Sequence, residues 1–420
     1  MTRRPCSLFF LRLFPFTFAI FCALGVTAQI ASAQTYSVIH TFTGRDGAYP
    51  TSTLVFDRAG NLYGTTEENE ASYGIGGGVL FQLKRGRSGW TLNPLRDFLI
   101  PYTNGSGPVN YGGLTFGPDG ALYGTTAYGG VTCDEQGGGC GVAFRASPSP
   151  TVCKSSLCPW DYTLMNQFTN VANPEGSVVF DTAGNLYGTT QSGGIYELSP
   201  SGGGWNESVI YQLNDAAIGP GVVMDNAGNL YGVWMQGLHG STNGGVFELS
   251  PSSSGWTENV LYSFTGGNDG ATPIGGLVLD NAGNLYGTTS TGGSGGGGTV
   301  FKLAPSGAGW TFNLVCSIRG AGHSGPQSAL TMDSQGNLYG TTFLGGSHGG
   351  GSVFKASRNG NNWVCNDLHD FQAGSDGLSP VGGVTLDSQG NLYGTTASGG
   401  SQNSFCAGVS GCGVVWEITP

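Results

Sequence analysis

The histidines are the side chains of this sequence best suited to metal binding or proton transfer. Five occur in 420 residues, namely His40, His239, His323, His348 and His369. His40 and His369 each stand two residues before a phenylalanine that closes a recurring segment, so they are interpreted as strand side chains. The other three lie in loops and could build a transition-metal or general-base site, but no His-x-His pair or paired carboxylates accompany them. No metal ligand, cofactor or catalytic residue is therefore assigned.

Three aspartates recur in similar loops and are candidate ligand-binding residues with a negative charge. Asp46, Asp269 and Asp376 stand in "FTGRDGAYP", "FTGGNDGATP" and "FQAGSDGLSP". Contact with a ligand or with Ca²⁺ is one interpretation, although calcium takes six to eight oxygens and no EF-hand-like loop is present. A turn residue that caps its own loop is the favoured interpretation.

A third group of candidates is aromatic. The heptapeptide "GNLYGTT" recurs along the chain, and its fourth copy ends differently, as "GNLYGVW". Trp234 and Met235 stand at that departure, and Tyr73, Tyr128 and Phe343 lie in neighbouring loops. Exposed aromatic rings there could stack on sugar rings or on a partner's side chain, whereas ordinary loop packing is the favoured interpretation. These five residues, with the three aspartates, are the predicted ligand-binding set.

The heptapeptide also reveals the elements that position these residues. It begins at Gly60, Gly184, Gly283, Gly336 and Gly390, and looser copies occur between the first and second and between the second and third of these. Each copy follows a short apolar run that ends in Asp, except in the second copy, which has Gly117. A glycine-rich loop, an aromatic-containing run and a run led by Trp come afterwards in most units.

Each unit thus holds four short β-type segments separated by turn residues. Seven units at about 55 residues predict an all-β, seven-bladed β-propeller of four-stranded antiparallel blades that occupies 34–420 as a single domain. One position of the first segment is small in every unit, which places that segment innermost, where blades converge. Its occupants are Thr53, Gly113, Ser177, Gly221, Gly276, Ala329 and Gly383.

The two ends of the propeller are predicted to share one blade. Thr35–Phe42 fits the pattern of an outermost strand, and the chain ends on "GVVWEITP", a third strand. The N-terminal strand should therefore close the ring by pairing beside Gly413–Ile418.

Loop lengths distinguish the two faces of the predicted propeller. Links from strand 1 to 2 and from strand 3 to 4 fall on one face and are nearly uniform, whereas links 2–3 and 4–1 fall on the other and vary widely. We call these the uniform face and the variable face. Because binding residues tend to lie on loops held by a rigid scaffold, a ligand is expected on the variable face.

The first 33 residues have the pattern of a secretory signal peptide. Arg3, Arg4 and Arg12 precede an apolar run, and "ASA" before Gln34 supplies a cleavage site, which predicts a secreted, periplasmic or extracellular protein. A transmembrane anchor is the alternative, but the run is short and contains Pro15. Cleavage removes three of 15 Lys and Arg and none of 26 Asp and Glu, so the net charge changes from −11 to −14. That charge argues against nucleic acid and anionic membranes as partners, and the mature chain is expected to be a monomer without a membrane span.

Eight cysteines remain after the signal peptide, and an even number in an exported chain indicates disulfides. Three local bridges are predicted, between Cys133 and Cys140, Cys153 and Cys158, and Cys406 and Cys412. Cys316 and Cys365 lie on successive outermost strands, where a bridge between blades and two free buried thiols both remain open.

The combination "D-x-x-G-N-L-Y-G-T-T", a glycine-rich loop and "G-x-V-F-x-L" resembles the Gloeo/Verruco repeat family of exported bacterial proteins, over Tyr36–Pro420. The resemblance implies a secreted or surface-associated repeat protein without an established activity. The order "P-x-G-G-L-x-x-D-x-x-G-N-L-Y" is also similar to NHL-type propellers, which supports the same strand assignment. Neither resemblance brings catalytic residues.

Three functions are consistent with these observations. The leading hypothesis is an exported, non-catalytic propeller that binds a carbohydrate or protein on its variable face. The alternative is a secreted metal-assisted lyase or hydrolase with a site near the axis, assisted by His239, His323 or His348. A purely structural surface protein is the third.

Overall fold

The computed structural model describes residues 34–70, 77–98, 113–131, 139–149, 160–213, 217–237, 241–307, 309–320, 325–408 and 410–420. Several predictions from the sequence lie outside these residues. They concern the signal peptide of residues 1–33, Tyr73, Cys133, Cys153, Cys158, His239 and His323.

The described residues form seven antiparallel sheets that follow one another along the chain, each with four strand positions. The innermost strands are β3 (Val55–Phe56), β7 (Thr115–Phe116), β11 (Pro174–Phe180), β16 (Val223–Met224), β20 (Val278–Leu279), β24 (Thr331–Met332) and β28 (Thr385–Leu386). The second strands are β4 (Leu62–Glu68), β8 (Leu122–Thr126), β12 (Leu186–Thr190), β17 (Leu230–Gln236), β21 (Leu285–Thr289), β25 (Leu338–Thr342) and β29 (Leu392–Thr396).

The outer half of each sheet is longer. The third strands are β5 (Val79–Gly86), β9 (Val142–Pro148), β13 (Gly194–Ser201), β18 (Gly245–Ser252), β22 (Gly296–Ser306), β26 (Ser352–Asn359) and β30 (Val414–Thr419). The outermost strands are β6 (Gly89–Asp97), β10 (Trp160–Gln167), β14 (Gly204–Gln212), β19 (Gly255–Ser263), β23 (Gly309–Arg319), β27 (Asn362–Asp370) and, for the last blade, β1 (Thr35–Thr41). Short segments β2 (Ala48–Pro50) and β15 (Ala217–Ile218) extend two inner strands, and the helical turns are α1 (Ser404–Ala407) and a 3-10 turn at Gly374–Asp376.

The prediction of a seven-bladed propeller closed by the N-terminal strand is confirmed. Strand β1 pairs antiparallel with β30, with Thr35 opposite Thr419, and completes the sheet β1-β30-β29-β28. This last blade also meets the first, because the Thr385 hydroxyl donates to the Leu54 carbonyl at 2.5 Å. The ring is therefore sealed by pairing between the two ends of the propeller.

The "D-x-x-G-N-L-Y" motif forms the hairpin between the first and second strands. In the first blade, the Asp57 carboxylate accepts hydrogen bonds from the Asn61 backbone and side-chain nitrogens at 2.9 and 2.7 Å and from the Tyr63 hydroxyl at 2.9 Å. Gly60 adopts φ 81°, which favours glycine. The same aspartate network recurs around Asp181, Asp225, Asp280, Asp333 and Asp387. The repeated motif is therefore a self-contained turn.

In the second blade, a carboxylate at a different position accepts the hairpin hydrogen bond from tyrosine. Gly117 takes the place of the aspartate, and Asp119 accepts instead from the Tyr123 hydroxyl at 3.1 Å. Arg145 donates to Asp119 through Nε at 2.9 Å. The carboxylate has moved two residues along the turn, and a cation from the third strand supports it.

A tryptophan recurs at the start of the outermost strands because it packs between neighbouring blades. Each of several outer-strand tryptophans contacts the second-strand tyrosine of the preceding blade, with ring centroids 5.3 to 6.5 Å apart. The pairs are Trp160 with Tyr63, Trp90 with Tyr393, Trp256 with Tyr187, Trp310 with Tyr231, and Trp363 with Tyr286. Fully buried aromatic residues of the third strands, such as Phe81 and Phe301, fill the remaining space. The core is thus a set of layers between blades.

Candidate functional site

A cavity of about 230 Å³ lies on the propeller axis. Residues from all seven blades line it, and six of the seven predicted small positions are among them, namely Thr53, Gly113, Ser177, Gly221, Gly276 and Ala329. Gly383 belongs to the same ring, since its backbone N–H donates to the Thr53 hydroxyl at 2.9 Å. Small side chains therefore surround the axis, as the sequence indicated, and they leave a cavity there.

One end of the axial cavity lies on the variable face. The residue two positions before each small axial residue directly follows a 4–1 link, and we call these residues the axial row. The row's described members are Thr51, Glu175, Gly219, Ile274, Gln327 and Val381. Thr51, Gln327 and Val381 line the cavity. Thr51, Gln327 and Val381 therefore form part of the mouth of the cavity on the variable face, and Glu175 directly precedes Gly176 and Ser177, which also line it.

Glu175 is the carboxylate of that row, and sequence analysis did not single it out. It is only 8% exposed. Burial raises its pKa to about 7, because removal from water disfavours the charged form. Among the described residues, its carboxylate has no hydrogen-bonding or ion-pair partner. A glutamate at one position of one repeat gives no sequence signal of this kind, because only the tertiary structure shows that nothing pairs with it.

The three predicted loop aspartates cap their own loops. Asp46 accepts from the Thr43 backbone N–H at 2.8 Å and contacts His40 Nε2 at 2.9 Å. Asp269 accepts from the Thr265 N–H at 2.8 Å and from the Tyr262 hydroxyl at 3.0 Å.

Asp376 follows the same rule at the closing blade. It accepts from the Gln372 N–H at 2.8 Å and contacts His369 Nε2 at 3.2 Å. His369 also stacks on Tyr36 of β1, with ring centroids 3.7 Å apart. His40, Tyr262 and His369 are therefore more than tolerated strand side chains, since each holds the aspartate of the following loop. All three carboxylates therefore accept hydrogen bonds from their own loops. This is the arrangement that the loop-capping interpretation of the sequence describes.

Trp234 is fully buried, at 0% exposure, which agrees with the packing interpretation and excludes an exposed ring at this position. Its strand register shows why: Val233 and Trp234 take the positions of the usual Thr-Thr, and Trp234 pairs with Gly245. A Cβ on Gly245 would lie 2.3 Å from the indole, so this glycine makes room for the ring. Trp234 packs with Ile195, Ile218 and other apolar residues between the third and fourth blades. It is a core residue at this position.

The substitution also changes a hydrogen bond found in the other six blades. There the second Thr of the motif accepts from a backbone N–H of the third strand at 2.9 to 3.3 Å, as in Thr66 with Val79 and Thr396 with Val414. Trp234 replaces this polar link with apolar burial. The departure of the fourth copy is therefore explained by packing.

The remaining predicted aromatic and apolar candidates do reach the surface. Tyr128 is 39% exposed, and Met235 and Phe343 are partly exposed. Tyr128 and Phe343 belong to the 2–3 links of the second and sixth blades, and Met235 lies near the end of β17 in the fourth blade, so they share a face without forming one described cluster. His348 is exposed in the same link as Phe343. The described residues contain no group of three His, Cys, Asp or Glu side chains that could hold a metal ion.

Two disulfides are present between described cysteines. Cys406 and Cys412 are bridged as predicted, within the long link of the last blade. Cys316 and Cys365 are also bridged, which resolves the question that the sequence left open. They join β23 to β27, so the bridge connects the fifth and sixth blades. Cys140 is disulfide-bonded, while its predicted partner Cys133 lies outside the described residues.

The long link of the last blade is ordered by several contacts. Asn403 caps α1 by accepting from the Cys406 N–H at 2.8 Å, and its side-chain nitrogen donates to the Thr43 carbonyl at 2.8 Å. The Phe405 ring lies so close to Gly44 that a Cβ there would be 2.5 Å away. The link is thereby fixed against the loop that leads into the first blade, and part of the variable face is rigid.

Residues 23–199, 130–330 and 279–420 match the Gloeobacter/Verrucomicrobia repeat family in three overlapping stretches. The chain belongs to this family. No curated protein matches it significantly.

Solved structures resemble this family member in fold. The extracellular domain of a hybrid two-component system from B. thetaiotaomicron aligns with TM-score 0.52 and 11% identity, over 92% of this chain and 41% of that one. A protein of unknown function from Dyadobacter fermentans aligns with TM-score 0.47 and 11% identity, over 92% and 98%. A luciferin-regenerating enzyme aligns with TM-score 0.42 and 12% identity, over 92% and 95%. At these identities the likeness concerns the fold alone.

No helix among the described residues of this family member is long and apolar enough to cross a membrane.

Proposed function

We propose that this chain is an exported, non-catalytic propeller that binds a carbohydrate or protein ligand on its variable face. The observation that carries the proposal is the contrast between the two faces. On the uniform face, the same aspartate turn closes six of seven blades and consumes its own polar groups. The variable face carries the mouth of the axial cavity and links that range from Gln191–Gly193 to Ala397–Gly413.

Two further features support this proposal. Disulfides such as Cys316–Cys365 suit an oxidising compartment, in agreement with the signal-peptide pattern of residues 1–33. The disulfide and hydrogen bonds of the last blade's long link hold one part of this face in place, and a preformed surface lowers the entropy lost when a ligand binds. Tyr128 offers an exposed ring on that face for stacking on a sugar or side chain.

The proposal is tested with residues 34–420 on glycan arrays and isolated cell-wall fractions. The variant Tyr128→Ala removes an exposed ring from the variable face. The matched control is Val209→Ala, which removes an equally exposed side chain, 39% in both cases, from outermost strand β14. Retention of the parent protein, lowered several-fold by Tyr128→Ala and unchanged by Val209→Ala, is expected. Absence of retention of the parent protein on every surface would contradict the proposal.

A further inference from the structure

We propose that Glu175 anchors a site at the mouth of the axial cavity for a primary ammonium group, supplied by an amino sugar or by a lysine. This inference rests on the proposed function, because it places the ligand on the same variable face. It adds the chemical class of the ligand and the residue that recognises it.

The position of Glu175 follows from its strand. Glu175 is not itself among the residues that line the axial cavity, but its neighbours Gly176 and Ser177 are, as are Thr51 and Gln327, which occupy the same row in other blades. Within its sheet, Glu175 pairs with Thr189. Paired residues of antiparallel strands project to the same side. The Thr189 hydroxyl donates to the Gly219 carbonyl of the fourth blade at 3.3 Å, so the Glu175 side chain lies on the side that faces that blade.

Nothing described in the protein neutralises this carboxylate. The axial row offers Gly219, Ile274 and Val381 in the fourth, fifth and seventh blades, and none of these carries a charge. An isolated buried carboxylate is costly unless a counter-charge or hydrogen bonds are supplied. A carboxyl group held in that state beside a cavity is a candidate functional group, because a ligand can provide what the fold does not.

The rest of the mouth selects the kind of cation. A primary ammonium has three N–H donors and no acceptor, so it requires several acceptors around one charge. The hydroxyls of Thr51 and Ser177 and the amide of Gln327 provide neutral oxygens along the cavity. The Thr51 hydroxyl also donates to Glu67 at 2.9 Å, which brings a second carboxylate to the first-blade side. A negatively charged chain further favours approach of a cation over an anion.

The electrostatics give a specific thermodynamic signature. Because the pKa of Glu175 is about 7, the group is mostly protonated at pH 6 and mostly ionised at pH 8. An ammonium ligand binds the ionised form. Binding at pH 6 should therefore release close to one proton per site, and binding at pH 8 should release almost none from Glu175.

The test is isothermal titration calorimetry of residues 34–420 with lysine, glucosamine, N-acetylglucosamine and glucose at pH 7.5. Ligands with an ammonium group should bind at least tenfold more tightly than the two neutral sugars. The ratio of lysine to glucosamine affinity identifies the source of the group. Repeating the lysine titration at pH 6 and 8, in buffers of different ionisation enthalpy, measures the released proton.

Two variants make the result specific. Glu175→Gln keeps the shape of the side chain and should weaken ammonium binding at least tenfold and abolish the proton release at pH 6. Glu417→Gln is the matched control, because Glu417 is equally buried but is paired with the Tyr393 hydroxyl at 2.7 Å. Thermal unfolding at pH 8 checks that both variants are folded.

Outcomes separate this inference from the proposed function. Equal affinity of Glu175→Gln and parent protein for lysine and glucosamine, or equal binding of neutral sugars, would overturn the inference. If cell-wall or glycan retention persisted in that case, the proposed function would stand without it. Loss of ammonium binding in Glu175→Gln alone, together with loss of the released proton, is the result expected.

Discussion

Carboxyl groups have lowered pKa values in the hairpins of the uniform face and a raised pKa at the mouth of the axial cavity. In the hairpin around Asp280, burial by itself would raise the pKa of the carboxyl, but hydrogen bonds from Asn284, Ala282 and Tyr286 hold it below its usual range. At the mouth, burial of Glu175 acts alone and raises its pKa to about 7. The hairpin turns therefore satisfy their own carboxylates, whereas the described residues supply no hydrogen bond to the carboxylate of Glu175.

The largest expected effect comes from a residue that only appears to belong to the variable face. Trp234→Ala should destabilise the protein by about 3–5 kcal/mol, because it empties a fully buried site between two blades. Urea denaturation measures this change. The folded fraction should retain ligand as the parent protein does, and a selective loss of binding with unchanged stability would return Trp234 to the binding surface.

Glu175→Gln should raise the free energy of unfolding, whereas Trp234→Ala should lower it. The folded-state pKa lies above the unfolded value, so the protein loses stability as pH rises from about 4.5 through about 7. Glutamine carries no charge to desolvate, and the variant should be more stable than the parent by about 2–3 kcal/mol at pH 8. The difference should vanish near pH 4, as followed by denaturation at several pH values. Destabilisation at pH 8 would show that the carboxylate has a structural partner.

Asp280→Ala tests the hydrogen-bonded hairpin carboxylate, whose lowered pKa contrasts with the raised pKa of Glu175. It removes the acceptor of the Asn284 and Ala282 N–H groups and of the Tyr286 hydroxyl. The free energy of unfolding should fall by about 2 kcal/mol, since each lost bond to a charged group is partly replaced by water at this partly exposed turn. Ligand binding should not change. A loss below about 0.5 kcal/mol would show that the turn does not depend on its carboxylate.

The smallest expected effect is at a capped loop of the variable face. Burial opposes ionisation of Asp46, but hydrogen bonds from His40 and Thr43 more than offset it, and its pKa lies below the usual range. Asp46→Asn should reduce stability by about 1 kcal/mol at pH 7. Because the lowered pKa contributes stability above the unfolded value of about 3.8, the difference should shrink as pH falls below that value and disappear once the Asp46 carboxyl is protonated in the folded protein. A difference that did not change with pH across this titration would contradict this assignment.

The sequence was sufficient for the architecture because the repeats encode local structure. The Asp57–Tyr63 type of turn, the small residue at Thr53 and its equivalents, and the strand pattern of Thr35–Phe42 each carry a periodic signal, and together they predicted blade number, strand order and closure. Local self-contained hydrogen bonding explains why this worked.

The candidate site depended on contacts that no repeat encodes. Trp234 was a binding candidate because it breaks a motif, and only the structure shows that Gly245 and the third blade enclose it. The Cys316–Cys365 bridge joins residues 49 positions apart on neighbouring blades. Glu175 is recognised only by its burial and by the absence of a partner among the described residues. Such properties arise from tertiary packing and cannot be read from spacing.

The pairing of β1 with β30 has a consequence for chain connectivity. Thr35 lies directly opposite Thr419, so the two ends of the propeller are neighbours at one edge of one blade. A short linker between these ends could therefore replace a break opened elsewhere, for instance at the exposed turn between Ser201 and Gly204. Such a circular permutant would retain every strand pair while the closing blade became covalently continuous, so the place where the chain begins matters less to the fold than the number of blades.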